Sequence, residues 1–471
     1  MLFSSASFVF LFLPISLAGF YALSRLRPPE AKLAWIALCS LFFYAYWRID
    51  YLPLLVGSVG VNFAVSRAIL THRSDGPSRR TAKALLIGGI AFNLILLGIF
   101  KYLGFAMQIA SDVSGLTITP INLVLPLAIS FFTFQQIAYL VDCYKGLARS
   151  STFLNYLVFV TFFPQLIAGP IVHHKEMMPQ FRSTFVGVLR WKNLYIGSAF
   201  FALGLFKKLG IADQLAPFAD QGYANHQNMT FLDAWFTTLA YTFQLYFDFS
   251  GYSDMAIGAA RMFGIQLPQN FNSPYKALSL QDFWRRWHMT LSRFLRDYVY
   301  IPLGGGRRSS TRVSVNLFAT FLLGGLWHGA GWTFIIWGAI HGMYLVIERL
   351  LQPLTVRMPN AIKWGVTFLV VHCAWVFFRA ENVSQAASIL KTMSGLQGIT
   401  PGAMNVVIAD NEKAVVVIFC AASIAFLMPN THRFTRNLKP VWKTATAGVA
   451  LGTACSFMLT SRSEVFLYFN F

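Results

Sequence analysis

The sequence predicts an all-α, polytopic membrane protein, and three observations support that fold class. Hydrophobic residues make up 56% of the 471 residues and charged residues only 12%, whereas soluble domains carry about 25% charged residues. The mean hydropathy is +0.54. Uncharged stretches long enough to cross about 30 Å of hydrocarbon recur along the whole chain. We expect about ten to twelve spans plus re-entrant segments, in a single membrane-embedded domain over residues 1–471.

The first uncharged stretch, Leu2 to Ser24, is expected to be a span and not a signal peptide, because no positive charge precedes it. Arg25, Arg27 and Lys32 follow it, so the positive-inside rule places the amino terminus outside and the first loop in the cytoplasm. After a helix pair that turns around residues 47–51, the loop 67–83 has five Lys or Arg against one Asp. That loop is also expected to be cytoplasmic.

Charge and cysteine content argue against two other classes of protein. The formal net charge of +20 lies in loops between apolar stretches, so it indicates membrane topology and not nucleic-acid binding. The five cysteines have no close pairing and predict neither a disulfide framework nor a zinc cluster. We expect all five to be core residues: Cys39, Cys143, Cys373, Cys420 and Cys455.

The stretch Phe162 to Val172 does not read as a simple span. Pro164, Gly169 and Pro170 interrupt it, because proline breaks a helix and restricts the residue before it. A re-entrant hairpin is expected, and such backbone is tolerated at membrane depth only where it is buried in protein or lines a cavity. The pair His173-His174 at its end is expected in an interfacial loop.

Two carboxylates close the apolar span that starts at Ala234. Asp248 and Asp254 could form a proton pathway or an ion site, or they could cap helices and pair with arginines of the basic helix that follows. The structural alternative is favoured here.

A basic, aromatic-rich helix is predicted from Gln281 to Tyr298. Helical spacing puts His288 on the same face as Trp284 and Leu291, which is the apolar side. Residues 281–312 carry seven Arg against two Asp. Such an element suits an anchor at the cytoplasmic interface, which spacing alone favours, or a site for the phosphates of an anionic cosubstrate.

His328 lies within thirty-five uncharged residues, Val313 to Ile347. An imidazole at membrane depth is costly unless it has a function or a partner, and a neutral ring bonded to a backbone carbonyl is the structural alternative. Four glycines between Leu323 and Trp332 predict two helical pieces joined at this site. His341 is expected to pack or to support the site. No metal is expected, because the spacing of His288, His328 and His341 matches no ligand motif.

Motifs along nearly the whole chain resemble the membrane-bound O-acyltransferase family, and in particular its bacterial alginate O-acetylase type, which also serves acetylated cellulose. They are M-L-F-S-S at the start, Y-A-Y-W-R-I-D-Y at 44–51, L-P-L-A-I-S-F-F-T-F-Q at 125–135, F-F-P-Q-L-I-A-G-P-I-V at 162–172, Q-L-Y-F-D-F-S-G-Y-S-D-M-A-I-G from 244, F-W-R-R-W-H-M-T-L-S from 283, L-R-D-Y-V-Y-I-P-L-G-G from 295, L-G-G-L-W-H-G-A from 323 and F-F-R-A-E-N at 377–382.

The resemblance implies a helical fold around a central tunnel through the bacterial inner membrane. It places the family histidine at His328 and the second motif histidine at His288. It implies acetyl-CoA as the cytoplasmic acyl donor, with no permanently bound cofactor, and a separate periplasmic polysaccharide acetyltransferase that completes delivery to the polymer.

Ester formation from a thioester needs a base for the hydroxyl proton and polar groups for the developing oxyanion. A buried, neutral imidazole can accept that proton. The hypothesis is that His328 is the base, or alternatively a transient acyl carrier, and that His288 assists. Charge placement adds four candidates for the CoA phosphates: Arg285, Arg286, Arg293 and Arg296.

Two alternatives stay open at this stage. A proton-coupled transporter or flippase of a lipid-linked sugar would use Asp248, Asp254 and His328 as a relay, although the sequence has no clear paired discontinuous segments. Within the enzyme class, the rivals are acyltransferases for teichoic acid, a lipid or a peptide. Release of CoA from a thioester separates an enzyme from a carrier.

Overall fold

All the regular structure in the described part of the chain is helical, which confirms the predicted all-α class. The computed structural model describes residues 1–26, 30–73, 77–119, 121, 123–183, 186–396, 398–399, 412–437, 439–460 and 467. Arg27 and residues 400–411 of the loop before the last apolar segments lie outside these ranges.

Four helices among the described residues are long and apolar enough to cross a membrane: Ile49–Thr71, Ser78–Ser114, Trp191–Ala224 and Asn360–Arg379. Three shorter apolar helices accompany them: Phe8–Leu23, Ala31–Ala45 and Lys413–Leu427. The protein is therefore a multi-pass membrane protein. The count of about ten to twelve spans and the central tunnel stay predictions.

The described residues divide into two compact units, and the single membrane domain over residues 1–471 also stays a prediction. The first unit comprises Met1–Phe201 and Met255–Pro268. Its α-helices are Leu13–Leu23, Ala31–Ala45, Leu52–Thr71, Pro77–Leu97, Leu103–Ser114, Ile129–Tyr144, Phe153–Thr161, Phe163–Leu166 and His174–Arg182, with part of Trp191–Phe206.

The expected break between residues 162 and 172 is present in the first unit. A four-residue helix, Phe163–Leu166, is followed by irregular backbone up to His173, and every residue from 162 to 174 is buried. A Cβ on Gly169 would lie 2.4 Å from the Cα of Gln165, so only glycine fits there. The burial in protein agrees with the expectation, and entry into the membrane stays a prediction.

The expectation of a loop position is wrong for His174, which is the first residue of a helix, whereas His173 has extended backbone directly before that helix. His173 is the N-cap of helix His174–Arg182, and its backbone N–H donates to Glu176. The Nδ1 atom of His174 lies 3.1 Å from an oxygen of Asp142. Both histidines are buried. The hydrogen bond from His173 to Glu176 is a capping contact, in which the first turn of the helix satisfies a backbone group at its own start.

The second unit comprises Ala202–Asp254 and Gln269–Phe471. It contains most of the long helix Phe231–Met262. Its other helices are Asp213–Ala224, Leu280–Trp284, Met289–Leu295, Ser310–His328, Trp332–Leu350, Gln352–Thr355, Asn360–Arg379, Val383–Met393, Glu412–Leu427, Thr431–Asn437 and Pro440–Thr460, with π-helical turns at Lys207–Ala212 and Arg296–Tyr300.

The uncharged run around His328 forms two helices, as its glycines predicted. Ser310–His328 and Trp332–Leu350, which we call the histidine hairpin, are joined by three residues. Their backbones touch: a Cβ on Gly325 would lie 2.3 Å from the carbonyl oxygen of Phe334, and a Cβ on Gly338 would lie 2.5 Å from that of Phe321. Small residues allow such close packing between apolar helices.

The continuous helix predicted from Gln281 to Tyr298 is wrong. One helix ends at Trp284 and the next begins at Met289, and His288 between them has left-handed backbone with φ 41°. Two backbone hydrogen bonds hold this turn against the irregular segment 270–272: Asn272 N–H donates to Arg286 O at 2.9 Å, and Met289 N–H donates to Asn270 O at 3.0 Å. Such backbone costs a non-glycine residue about 1–3 kcal/mol, which tertiary contacts must offset.

The cysteines do not all belong to the core. Cys39 and Cys143 are buried, Cys373 and Cys455 are partly exposed, and Cys420 is exposed. The core assignment is therefore wrong for Cys420, while all five thiols are free.

Candidate functional site

His328 is the last residue of the first helix of the histidine hairpin. The helix ends there because Gly329 has extended backbone, and Gly331 in the same conformation starts the next helix. The side chain is buried. Its ring is surrounded by three aromatic side chains, at centroid distances of 4.9 Å for Trp327, 5.0 Å for Trp337 and 5.2 Å for Phe378.

His288 is brought to the same aromatic cluster. It is fully buried, and its ring meets the edge of Phe249 at 4.7 Å and lies 6.4 Å from Trp327. Trp327 therefore contacts both predicted histidines. The apolar surroundings expected for His288 are present. They do not come from the apolar face of a helix, as predicted, because His288 lies in a turn between two helices.

The Nδ1 atom of His288 lies 3.1 Å from Oδ1 of Asn270. The same oxygen accepts hydrogen bonds from the backbone N–H of Thr290 at 3.3 Å and from its hydroxyl at 2.9 Å. Sequence reasoning missed Asn270. Its position in P-Q-N-F-N-S-P, between two helical segments, was the available signal, because asparagine and proline mark turns.

His341 has the packing and support position that its helical context predicted. The indole N–H of Trp284 donates to Nδ1 of His341 at 3.3 Å, and the His341 ring lies 4.7 Å from that of Trp337. Within the described ranges, no group of three or more His, Cys, Asp or Glu side chains could hold a metal ion.

His372 is a buried histidine that sequence reasoning missed. Its ring is stacked between Trp235 and Phe368, with interplanar angles of 13° and 12°. Both ring nitrogens face hydroxyl groups, of Thr238 at 3.1 Å and Thr242 at 2.8 Å. A lone histidine in an apolar helix gives no spacing signal, so nothing in the sequence distinguished it.

Asp248 and Asp254 are partners of lysines, and the pairing expected with arginines of the basic helix is wrong. Lys208 lies 2.7 Å from Asp213 and 2.8 Å from Asp248, and all three side chains are about 5% exposed or less. Lys207 lies 2.7 Å from Asp254, whose Oδ2 also accepts from the hydroxyl of Thr431 at 2.6 Å. Both carboxylates are thus ion-pair partners, which is the structural alternative that the sequence favoured, although the cations are lysines.

The four candidate arginines differ in exposure. Arg285 and Arg296 are exposed, whereas Arg286 and Arg293 are half-buried. Arg286 pairs with Asp282 at 2.8 Å and Arg296 with Asp297 at 2.7 Å. Partly exposed pairs of this kind contribute only about 0–1 kcal/mol, so an incoming phosphate can compete for either arginine. Binding of CoA phosphates stays a prediction.

The sequence of the chain is similar to a known family and to several named proteins. A family model described as MBOAT, membrane-bound O-acyltransferase family, matches residues 145–383. This range includes His288, His328 and the four arginines. The chain is 43% identical to a peptidoglycan O-acetyltransferase of Helicobacter pylori, over 100% of this chain and 98% of that protein.

Two further relatives carry related names. The chain is 44% identical to a probable alginate O-acetylase of Pseudomonas aeruginosa, over 83% of this chain and 75% of that protein. It is 29% identical to a teichoic acid D-alanyltransferase of Bacillus subtilis, over 52% of this chain and 63% of that protein. The chain therefore belongs to the membrane-bound O-acyltransferase family and is an acyltransferase.

Proposed function

We propose that this acyltransferase takes an acetyl group from acetyl-CoA on the cytoplasmic side and passes it across the inner membrane for O-acetylation of an extracellular polysaccharide such as alginate or cellulose. The names of the relatives add peptidoglycan as a candidate polymer. The observation that carries the proposal is the contact of His288 and His328 with one indole, Trp327, inside the matched range. A separate periplasmic acetyltransferase is the proposed recipient that completes delivery.

In the proposed reaction, a hydroxyl oxygen attacks the thioester carbonyl while His328 takes the hydroxyl proton. The carbon–sulfur bond then breaks, and the proton taken from the hydroxyl is passed to the sulfur of CoA. His288 assists. An acyl-histidine at His328 is the second form of the mechanism. The ring nitrogen attacks the thioester carbonyl and the carbon–sulfur bond breaks, which releases CoA. The hydroxyl oxygen then attacks the acetyl group, the carbon–nitrogen bond breaks, and the hydroxyl proton is left for the CoA sulfur.

The oxyanion of this reaction needs a hydrogen-bond donor in a dry site. The indole N–H of Trp337 is buried and has no hydrogen-bond partner among the described residues, and its ring contacts that of His328. We assign Trp337 Nε1 as the donor to the oxyanion. Arg285, Arg286, Arg293 and Arg296 are assigned to the phosphates of CoA, because arginine pairs well with phosphate oxygens.

The test is CoA thiol release from acetyl-CoA by the purified protein in lipid nanodiscs, with the periplasmic acceptor present. Wild type is compared with His328→Ala and with His72→Ala, whose side chain is exposed. Release by wild type and His72→Ala, and none by His328→Ala at equal protein abundance, supports the proposal. Release by His328→Ala overturns the role of that histidine, and release by none overturns acetyl-CoA as the donor.

The polymer is identified separately. Alkali-labile acetyl esters are measured in the alginate, cellulose and peptidoglycan fractions of cells with and without the protein. A loss confined to one fraction names the polymer, and unchanged ester content in all three overturns polysaccharide acetylation.

A further inference from the structure

The hydrogen bonds of Asn270 determine where its amide oxygen lies. A backbone N–H can only donate, so the side-chain atom that faces Thr290 N–H must be the oxygen, Oδ1. The amide nitrogen then donates to the hydroxyl of Ser253 at 3.3 Å. Asn270, Ser253 and Thr290 are all at least 98% buried, so water does not compete for these groups.

This orientation determines the tautomer of His288. Oδ1 of Asn270 carries no hydrogen and can only accept a hydrogen bond. The hydrogen of the 3.1 Å contact must therefore be on Nδ1 of His288. A neutral imidazole has a single N–H, and Nε2 is therefore left with its lone pair. Nε2 is buried and has no hydrogen-bond partner in the part of the chain that the structure describes.

We propose that Asn270 is a positioning residue of the acyl-transfer site, which holds His288 with its hydrogen on Nδ1 and so makes Nε2 a hydrogen acceptor for the reaction. This inference rests on the proposed function and gives the assistance of His288 a specific form. The proton that His328 takes from the hydroxyl has to reach the CoA sulfur. The lone pair on Nε2 of His288 can accept a hydrogen bond or a proton during that transfer, whereas the neutral ring has no Nε2–H to donate to the oxyanion.

The left-handed backbone of His288 supports this assignment. The backbone hydrogen bond from Met289 to Asn270 and the side-chain hydrogen bonds from His288 and Thr290 connect three consecutive residues to the same asparagine. The turn thus places the ring nitrogen on Asn270, and a continuous helix would lack this arrangement. Asn270 acts through His288 and is not itself assigned a contact with the substrate.

The first test reads the tautomer directly and requires no turnover. Protein labelled with ¹⁵N-histidine is reconstituted in nanodiscs without donor or acceptor, and the His288 signal is assigned by its loss in His288→Gln. We expect the hydrogen on Nδ1 in wild type and in Asn270→Asp, which keeps an acceptor oxygen, and loss of that preference in Asn270→Ala. Asn272→Ala is the matched control, since that side chain accepts from Asn430 at 2.6 Å and should leave the His288 signal unchanged.

The second test measures transfer. Asn270→Ala should lower kcat by about 10²-fold or more, within the range that a positioned base supplies, while KM for acetyl-CoA stays constant; Asn270→Asp should restore part of kcat. A wild-type ring with its hydrogen on Nε2 would overturn the proposal even if Asn270→Ala does not fold. A folded Asn270→Ala with wild-type tautomer and kcat, or Asn270→Asp as inactive as Asn270→Ala, would also overturn it. If the acetyl-CoA assignment fails, the tautomer measurement is unaffected, so the two failures are distinguishable.

Discussion

The buried imidazoles of the second unit differ in which ring nitrogens already have a partner. Both nitrogens of His372 face threonine hydroxyls, so this ring is committed to holding two helices together. In His288 and His341 only Nδ1 is engaged, and Nε2 has no hydrogen-bond partner among the described residues. Burial alone therefore does not distinguish these rings, whereas their hydrogen-bond partners separate His372 from the other two.

Trp337→Phe tests the proposed oxyanion donor. The substitution keeps an aromatic ring beside His328 but removes the indole N–H, so kcat should fall by about 10²–10³-fold with little change in KM. Trp235→Phe is the matched control, because its N–H already donates to the carbonyl oxygen of Met393 at 3.0 Å. Steady-state CoA release measures both, and unchanged kcat in Trp337→Phe would contradict the assignment.

Lys208→Met should destabilise the protein strongly. It removes the cation that pairs with both Asp213 and Asp248 and leaves two buried carboxylates without it. Breaking a buried ion pair lowers the free energy of unfolding by about 3–5 kcal/mol. Arg286→Met, which breaks a pair about one third exposed, should cost no more than about 1 kcal/mol. Thermal unfolding in the same detergent compares the two, and equal midpoints would refute the difference.

Sequence reasoning recognised Asp248 and Asp254 but not their partners. The lysines lie forty or more residues earlier, at the π-helical turn Lys207–Ala212, and side-chain pairing over such a separation leaves no periodic signal. His328 was recognisable because glycines interrupt the uncharged run beside it, whereas no glycine lies beside His372 in its apolar helix. Asn270 was not, because an asparagine near prolines is ordinary in a turn.

At the scale of elements, the histidine hairpin and the His288 turn show where local patterns succeed and fail. Glycines near His328 predicted a break, and the helices end and begin there. Helical spacing from Gln281 onward predicted one helix, but hydrogen bonds to the segment 270–272 impose a left-handed residue in its middle. Periodicity reports local preference, and contacts distant in sequence can override it.

Gly325→Ala should disrupt the histidine hairpin. The added methyl group would lie 2.3 Å from a carbonyl oxygen, so the helices must separate, which moves His328 relative to Trp337. We expect loss of transfer and destabilisation by about 1–3 kcal/mol, the usual cost of overpacking. Gly57→Ala is the control, because no atom lies within 4 Å of its added Cβ; comparable loss in both variants would show that the contact is not the cause.

At the scale of the whole molecule, composition was enough to predict a helical membrane protein but not the number of spans. Among the described residues, four helices satisfy length and hydropathy together. Others that were counted as spans are shorter or, like the 32-residue helix Phe231–Met262, are long enough but are not among these four. Hydropathy does not separate a helix surrounded by lipid from one surrounded by protein. The segment 162–174, which is apolar yet wholly buried, illustrates this limit.

The positive-inside prediction can be tested on cells. In a background with the exposed Cys420 replaced by Ser, an Ile49→Cys variant should react with a membrane-impermeant maleimide in spheroplasts, since residue 49 is 68% exposed and is expected outside. His72→Cys, also exposed but expected in the cytoplasm, should react only after lysis. The opposite pattern would invert the topology.

The contact between Gly325 and Gly338 also has a consequence for genetics. The atoms that a side chain at either position would strike are backbone atoms, which are the same whatever residue supplies them. A strain that carries Gly325→Ala should therefore yield true revertants but no intragenic suppressors among substitutions on the facing helix. We therefore expect each of the two positions to require glycine on its own. Pairs of substitutions that compensate for each other, which ordinary side-chain contacts allow, are not expected here.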